Sequence, residues 1–501
     1  MREGEATAFT VLFPSIHCRM SMFLMIYSSG ALVMDDFEFE LWMRLPLAQA
    51  VLKLAQVAME PAALNELFDL YRGSNYEKVM SFDTFVHLIC DVLVTHRGAG
   101  HAGFSQARED GRLPVAMANV YAKLSRVPIE LSAALLQDGT QRLLPLMPAV
   151  EELSNEVPMS LREFSMMVID GKKIKNASKR LKPLRGQPGS MLGGKLLVAL
   201  SLPQGLAVAM AADPDGERND VPLVGPLVQQ VRAASDEARL WIADRQFADL
   251  SVPVLLSEGN DHYLIRHSKR LGFQADLERP AKEHHDAQHR RVVQQWGWVG
   301  RKQSQRLYVR LITLHREGEE EVTLMTDLLD ESRHSADDLL HAYLQRWGIE
   351  RMFQQVTEVF NLQTLIGSTP AAMIFQSAMC FLLYNMIQVV RAYVADAGAQ
   401  KRERVSTEKL FKDVQVQMTT WMNMGSVKKI PSYLPTTDEP ADVIQWMKQT
   451  LAGKWRKLWL KAPPQKKRST RPAARTPAGH GGHTSVHRVL QDARKGKGAR
   501  P

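Results

Sequence analysis

Three residues whose side chains suit phosphate and metal chemistry lie within one short stretch of the chain. Tyr343, Arg346 and Glu350 are spaced three and four positions apart, so on one continuous α-helix they share a face. A guanidinium offers a fork of donors that matches a phosphate, and a carboxylate is a ligand for hard divalent cations. The spacing predicts phosphate chemistry on that face, although a plain ion pair between Arg346 and Glu350 on a solvated helix explains it as well.

The opposite side of the same helix is predicted to pack against a core. It gathers the apolar residues Ile349, Met352, Val356, Val359 and Phe360.

Two aspartates upstream follow apolar runs of strand length. Asp170, which precedes Gly171, is predicted to end one strand, and Asp244 to end another. Taken singly, each is more readily explained as a strand-end turn residue or a helix cap than as a metal ligand. Three carboxylates in such settings favour a shared site.

The residues between the two aspartates predict an α/β arrangement. Lys195–Leu202 and Gly205–Ala211 are apolar and strand-like, and the tripeptide Pro203-Gln204-Gly205 indicates a hairpin between them. Asp220–Ala238 carries apolar residues at helical spacing and precedes the strand that ends at Asp244. The order strand, strand, strand, helix, strand, with a third acid on a later helix, is similar to that of the ribonuclease H-like fold.

The chain resembles the DDE transposases of bacterial insertion sequences, in the subgroup marked by a Tyr-x2-Arg-x3-Glu-x6-Lys signature. Tyr343, Arg346 and Glu350 match that signature in type and spacing. The likeness covers residues 160–395. One position departs from it, because the signature lysine would fall where this chain has Thr357, and no lysine nearby in the sequence replaces it.

The resemblance implies an enzyme that cuts DNA at the ends of an insertion sequence and joins those ends to target DNA. Asp170, Asp244 and Glu350 would be catalytic and would hold two Mg²⁺ or Mn²⁺ ions about 3.5 to 4 Å apart. Tyr343 and Arg346 would bind DNA. The partners would be double-stranded DNA, as terminal inverted repeats and as target, and a second copy of the chain in a homodimer.

Two alternative functions stay open. Thr357 favours a catalytically weakened, transposase-derived protein that binds DNA ends without cutting them, and the intact acids argue against it. The other is a related metal-dependent nuclease that cleaves without strand transfer. The presence of Tyr343 and Arg346 favours the transposase over this nuclease.

The 501 residues divide into predicted regions. Residues 1–34 are expected to be a non-native or disordered start, and residues 35–155 a separate helical domain whose DNA-binding role follows from the resemblance by position alone. Residues 160–395 would form a ribonuclease H-like catalytic domain with a β-rich insertion at 250–330. A helical region is predicted at 396–461.

The positive charge is concentrated at the carboxyl end. The net charge is +9, and residues 454–501 contain 14 basic side chains and one acidic side chain, so residues 1–453 sum to −4. Residues 462–501 have few large apolar side chains, a composition that cannot build a core. We expect a disordered basic tail that contacts DNA phosphates, and a solubilising tail explains the composition equally well.

Cysteine usage and hydropathy bear on the cellular setting. Cys18, Cys90 and Cys380 are widely separated, which favours a reducing compartment without structural zinc. We therefore expect a cytoplasmic, nucleoid-associated protein. Ala371–Val394 is apolar enough for membrane insertion to be considered, but polar residues interrupt it and burial in the core is the favoured explanation.

Overall fold

The computed structural model describes residues 36–75, 79–148, 157–301, 306–318, 320–425, 430–462 and 482–496. The start predicted to be non-native or disordered, residues 1–34, lies outside these ranges.

The described residues form the following elements. The helices are α1 (Asp36–Met43), α2 (Pro46–Ala58), α3 (Pro61–Tyr71), α4 (Phe82–Thr95), α5 (Gly100–Glu109), α6 (Met117–Leu124), α7 (Ile129–Leu143), α8 (Val221–Ala234), α9 (Ser251–Leu256), α10 (Ala336–Leu344), α11 (Trp347–Glu358), α12 (Pro370–Ala397), α13 (Thr407–Met424), α14 (Ile430–Tyr433), α15 (Pro440–Leu451) and α16 (Val486–Arg494). The strands are β1 (Ser165–Ile174), β2 (Ser190–Leu192), β3 (Gly194–Ser201), β4 (Leu206–Asp213), β5 (Arg239–Ala243), β6 (His262–Arg266), β7 (Phe273–Ala275), β8 (Lys282–His285), β9 (Arg291–Val299), β10 (Leu307–Leu314), β11 (Val322–Thr326) and β12 (His483–Ser485).

Ten of the described strands form one mixed sheet. Its order is β4-β3-β1-β5-β6-β11-β10-β9-β7, and β8 also pairs with β9. The neighbours β1, β5 and β6 run parallel, and all other neighbours in this sheet are antiparallel. The predicted hairpin is β3 and β4, the predicted helix is α8, and the strand before Asp244 is β5. A mixed α/β fold is confirmed.

The β-rich segment at 250–330 continues this sheet instead of standing apart from it. β6 pairs in parallel with β5, through Trp241↔Tyr263 and Ile242↔Leu264. β11 then pairs antiparallel with β6. An unpaired edge at β6 would expose a row of backbone N–H and C=O groups, and β11 covers them.

Alternate residues of β1 face two different hydrophobic cores. Met166 and Val168 belong to a cluster shared with helices on one side of the sheet, whereas Met167 and Ile169 belong to a cluster that includes α8 on the other side. Successive side chains of a strand point to opposite faces, so β1 is buried on both. The sheet is therefore a middle layer between two layers of helices.

The amino-terminal helices share the larger core. Side chains of α2, α4 and α7 lie in one cluster with α12 and the sheet, and α7 packs against both α12 and β4. The sequence predicts a separate domain for residues 35–155, whereas the apolar faces of these helices are covered by elements that follow it. The DNA-binding role of this region stays a prediction.

Among the described helices, α12 is long and apolar enough to cross a membrane by length and composition, and its most apolar 18-residue window is entirely buried inside the protein. Its polar residues have partners there. Asn385 Oδ1 accepts a hydrogen bond from the Ala207 N–H at 2.9 Å, and Asn385 Nδ2 donates to the Thr140 hydroxyl at 2.8 Å. The predicted burial of this apolar segment in the core is confirmed.

Residues 482–496 depart from the disorder expected of the tail. β12 pairs in parallel with β2, and Val486 at the start of α16 is buried. Arg488 forms an ion pair with Asp215 at 2.8 Å. A short amphipathic segment escapes notice in a composition averaged over forty residues, and the rest of the tail beyond residue 462 lies outside the described ranges.

We expect Asn385→Leu to lower the free energy of unfolding by about 1–3 kcal/mol, because the Ala207 N–H is left buried without its partner. Denaturant titration measures this loss. Ser377→Ala is the matched control, since the Ser377 hydroxyl donates only to the Met373 carbonyl of its own helix and its loss should cost less than about 1 kcal/mol. Equal losses for the two variants would contradict the account.

Candidate active site

Asp170 and Asp244 lie side by side where two parallel strands separate. β1 and β5 stay in register up to Ile169↔Ala243, and the next residue on each chain is an aspartate. Asp244 directly follows β5, as predicted. The prediction that Asp170 ends its strand is wrong, because antiparallel pairing with β3 continues β1 to Ile174.

The signature residues lie on two helices instead of one. Tyr343 is in α10, whereas α11 begins at Trp347 with Arg346 at its N-cap. The Arg346 N–H donates to the Tyr343 carbonyl at 2.9 Å, and the Gly348 N–H donates to the Gln345 carbonyl at 2.9 Å. Bonds that span three residues form a tighter turn than an α-helix, so the prediction of one continuous helix is wrong.

The apolar face predicted for α11 is buried. Fully buried side chains follow the helical spacing, namely Ile349, Met352, Val356 and Phe360. Val359 is partly buried against the same core. The polar face of α11 is thereby turned towards β1.

Arg346 lies among the acids. Its Nη2 is 2.9 Å from Glu350 Oε1, so the ion pair considered from the sequence is present. Its guanidinium is 5.8 Å from the centroid of the Tyr343 ring. Burial opposes the charge on Arg346, yet the neighbouring Tyr343, Asp244, Glu350 and Asp170 raise the pKa of its guanidinium above the ordinary value. The buried Arg346 guanidinium therefore interacts electrostatically with all three acids.

The environment of Asp170 disfavours its charge. Burial raises the pKa of Asp170 to about 6, and the Asp244 and Glu350 carboxylates act in the same direction. The Gly171 N–H, which donates to Asp170 Oδ1 at 2.8 Å, opposes that shift. Gln246 Nε2 donates to the same oxygen at 3.2 Å. The three predicted acids are therefore within electrostatic reach of one another.

The three carboxylates are suitable ligands for a divalent metal ion, but their side chains are not arranged around one common metal position. Within the described ranges, no group of three or more His, Cys, Asp or Glu side chains is positioned to hold a metal ion. Glu350 is paired with Arg346 instead. Asp244 Oδ1, however, is buried without a hydrogen-bond partner. A buried carboxylate oxygen left unpaired is costly, and a hard cation satisfies it, so the donor set fits Mg²⁺.

Gly171 is required because a buried ion pair lies against it. A Cβ atom at this position would be 2.1 Å from Asp220 Oδ1. Asp220 is paired at 2.7 Å with Lys195 Nζ, and their side chains are only 9% and 7% exposed. The Asp-Gly dipeptide in β1 therefore combines a site acid with the one residue that leaves room for this pair.

Lys172 in β1 lies close to Thr357 in α11. Thr357 Oγ1 donates to the Phe353 carbonyl at 2.6 Å, and Lys172 Nζ donates to the same oxygen at 3.3 Å. The Lys172 ammonium is also 5.2 Å from the centroid of the Phe353 ring. Lys172 and Asp170 are two residues apart and share a face of β1. The sequence does not reveal this lysine, because Lys172 and Phe353 are 181 positions apart along the chain.

A groove lined mainly by cations runs beside Asp244. It has a volume of about 990 Å³, and Arg245, Arg266, Lys269 and Arg270 line it together with Glu320 and Glu321. Glu320 pairs with Arg245 at 2.8 Å and with Arg266 at 3.0 Å. No sequence motif marks these residues, because they come from separate strands and loops. The groove suits a polyanion that competes with Glu320 for Arg245 and Arg266.

Residues 163–386 match the family model of the transposase DDE domain. The matched segment contains Asp170, Asp244, Glu350, Tyr343 and Arg346, and the match supports a DDE transposase. No curated protein matches the chain. Among solved structures, the chain is similar to a cryo-EM structure of a piggyBac transposase synaptic complex with hairpin DNA, at 13% identity and a TM-score of 0.31, over 90% of this chain and 84% of that one. A TM-score of this size does not establish a shared fold.

We expect Gly171→Ala to separate Lys195 from Asp220 and to lower the free energy of unfolding by about 3–5 kcal/mol. Urea titration measures the change. Gly348→Ala is the control, because a Cβ there meets nothing closer than Leu200 Cδ2 at 3.7 Å, and alanine within a helix should stabilise by about 0.5–1 kcal/mol. Unchanged stability of Gly171→Ala would show that the ion pair tolerates the methyl group.

Proposed function

We propose that the protein is a DDE transposase that cuts DNA at the ends of a bacterial insertion sequence and joins them to target DNA. One observation carries the proposal: Asp170 and Asp244 follow the last register pair of β1 and β5, inside the segment that matches the DDE domain. Glu350 and Arg346 share their electrostatic neighbourhood. The order of three antiparallel strands, a helix and a parallel strand supports a ribonuclease H-like core.

The three acids would hold two Mg²⁺ or Mn²⁺ ions. Such ions, when bound, stabilise the attacking and leaving oxygens of an in-line displacement at phosphorus. Asp170 and Asp244 would supply ligands from the sheet, and Glu350 would supply one from α11. The orphaned Asp244 Oδ1 supports this assignment.

Arg346 and Tyr343 would bind the DNA backbone. Arg346 Nε is buried without a hydrogen-bond partner, and Arg346 Nη2 is occupied by Glu350. A phosphate accepts from both nitrogens of a guanidinium at once, so DNA would compete with Glu350 for Arg346. Release of the Glu350 carboxylate would leave it free to join Asp170 and Asp244.

The partners in this proposal are terminal inverted repeats, target DNA and a second copy of the chain, in the cytoplasm. The cationic groove beside Asp244 supports a polyanionic partner. Its walls include Arg266 and Arg270, which would contact backbone phosphates without reading base sequence.

We expect Asp170→Asn, Asp244→Asn and Glu350→Gln each to lower cleavage by more than about 100-fold, because each removes a charged ligand. The assay is Mg²⁺-dependent cutting of a plasmid that carries the DNA flanking the gene, with EDTA as the metal-free arm. Glu358→Gln is the matched control, since Glu358 lies in α11 and is exposed.

The same assay separates the alternatives. Cutting in EDTA, or equal cutting by the acid variants, would overturn the proposal. Cutting without joining of the ends would favour the metal-dependent nuclease. Binding of the ends without cutting under Mg²⁺ or Mn²⁺ would favour the catalytically weakened, transposase-derived protein.

We also expect Lys172 to replace the missing signature lysine. Lys172→Gln should lower cleavage about 10–100-fold, because a cation near the site phosphate is lost, and adding Thr357→Lys should restore part of it from the same turn of α11. Lys173→Gln is the control, since Lys173 is the next residue, on the opposite face of β1, and is exposed. Full activity of Lys172→Gln, with wild-type DNA affinity, would reject this role.

A further inference from the structure

A second cavity lies on the side of α11 that faces away from the three acids. It has a volume of about 420 Å³ and is enclosed by the β3–β4 hairpin, α11, α12 and segments that follow α12. On α11 its lining positions are Gly348, Arg351, Met352 and Gln355. These positions are three and four residues apart and share one helical face, whereas Glu350 lies on the opposite face.

Cations outnumber acids in the lining of this cavity. Arg351, Arg391, Arg402 and Lys461 line it together with the single carboxylate of Glu403. Glu403 pairs with Arg402 at 3.4 Å. Within the part of the chain that the structure describes, the side chains of Arg351 and Lys461 have neither a hydrogen bond nor an ion pair. Three positive charges are therefore left without internal compensation.

The deepest of these cations is Arg391. It is 8% exposed, and its guanidinium donates to Gln388 Oε1 at 2.7 Å and to the Arg402 carbonyl. Its Nε is buried without a hydrogen-bond partner. Burial lowers the pKa of Arg391 to about 10, and the neighbouring charges of Arg402 and Arg351 act in the same direction.

Lys461 shows the same crowding of positive charge. Burial lowers the pKa of Lys461 to about 8, and Arg391 and Arg351 lower it further than the Glu403 carboxylate raises it. Like charges held together in a cleft disfavour the charged state of each. Such an arrangement is found where an anionic ligand supplies the missing charge.

We propose that this cavity binds phosphate groups of the DNA strand a few nucleotides away from the bond that is cut, an inference that rests on the proposed function. An α-helix is about 10 Å thick, and a DNA strand advances about 3.4 Å per nucleotide. A strand whose reacting phosphate lies at Asp170 and Asp244 would therefore bring a phosphate about three nucleotides away to Arg351. Two arginine forks and a lysine match phosphate oxygens in geometry and charge.

The test is the affinity of the full chain for a duplex of the element's end, measured by fluorescence anisotropy over a KCl series in EDTA, so that nothing is cut. We expect the double variant Arg351→Gln/Lys461→Gln to lower the slope of log affinity against log salt by about 1.8, since each lost phosphate contact removes about 0.9. Affinity at a moderate salt concentration should fall roughly 10- to 100-fold.

The matched control is Lys454→Gln/Lys457→Gln, which removes two exposed charges from the same part of the chain outside the cavity. It should leave the slope within about 0.3 of the natural chain. Equal slopes for the two double variants would overturn the proposal. Equal melting temperatures check that the variants are folded.

Inorganic pyrophosphate separates DNA from free phosphate compounds. We expect it to raise the melting temperature of the natural chain but not that of Arg351→Gln/Lys461→Gln. If that occurs while DNA affinity is the same in both, the DNA assignment is overturned and the cavity belongs to a free phosphate compound.

The outcome also stands apart from that of the proposed function. If the natural chain never cuts its element ends, but the double variant lowers the salt slope by about 1.8, the transposase proposal is overturned while binding of DNA phosphates in the cavity is supported. Cutting by the natural chain with unchanged slopes would do the reverse.

Discussion

Burial of β1 on both faces determines where polar chemistry can occur in this chain. Met166 and Val168 fill one core while Met167 and Ile169 fill the other. An unpaired charge in either core would cost several kcal/mol, so no ionisable side chain fits until the strand passes the end of β5. Asp170 stands at that first permitted position, next to Asp244. The sheet therefore places the two aspartates side by side at the carboxyl end of β5 before any ligand is present.

Buried charged residues on both sides of the sheet fix the backbone around Asp170 and Asp244. The Lys195–Asp220 pair packs against Gly171, so β1 keeps its path past the end of β5. On the far side of the sheet, the fully buried Arg310 donates from Nε to Gln294 at 3.1 Å and from Nη1 to the His334 carbonyl at 2.7 Å. This arginine ties β10 to the loop that begins α10, so the sheet extension and the helices of the site are mechanically connected.

The sequence was a good guide to elements and a poor guide to their ends and partners. The strand predicted at Lys195–Leu202 is β3 (Gly194–Ser201), because strand periodicity is a local property. The break after Leu344 went unpredicted, since neither glycine nor proline marks Gln345 or Arg346. Lys172 went unnoticed because it meets Phe353 across 181 positions of sequence. Contacts of that range depend on the packing of β1 against α11, which no local pattern encodes.

The turn that separates α10 from α11 has an electrostatic consequence. It places Glu350 in the first turn of a new helix, where the aligned peptide dipoles favour a negative charge. In an uninterrupted helix the same residue would lie mid-helix, beyond the reach of that field. The interaction is worth about 0.3–1 kcal/mol to a carboxylate. By ending one helix and starting another, the backbone adds to the stabilisation that the Glu350 carboxylate receives from Arg346.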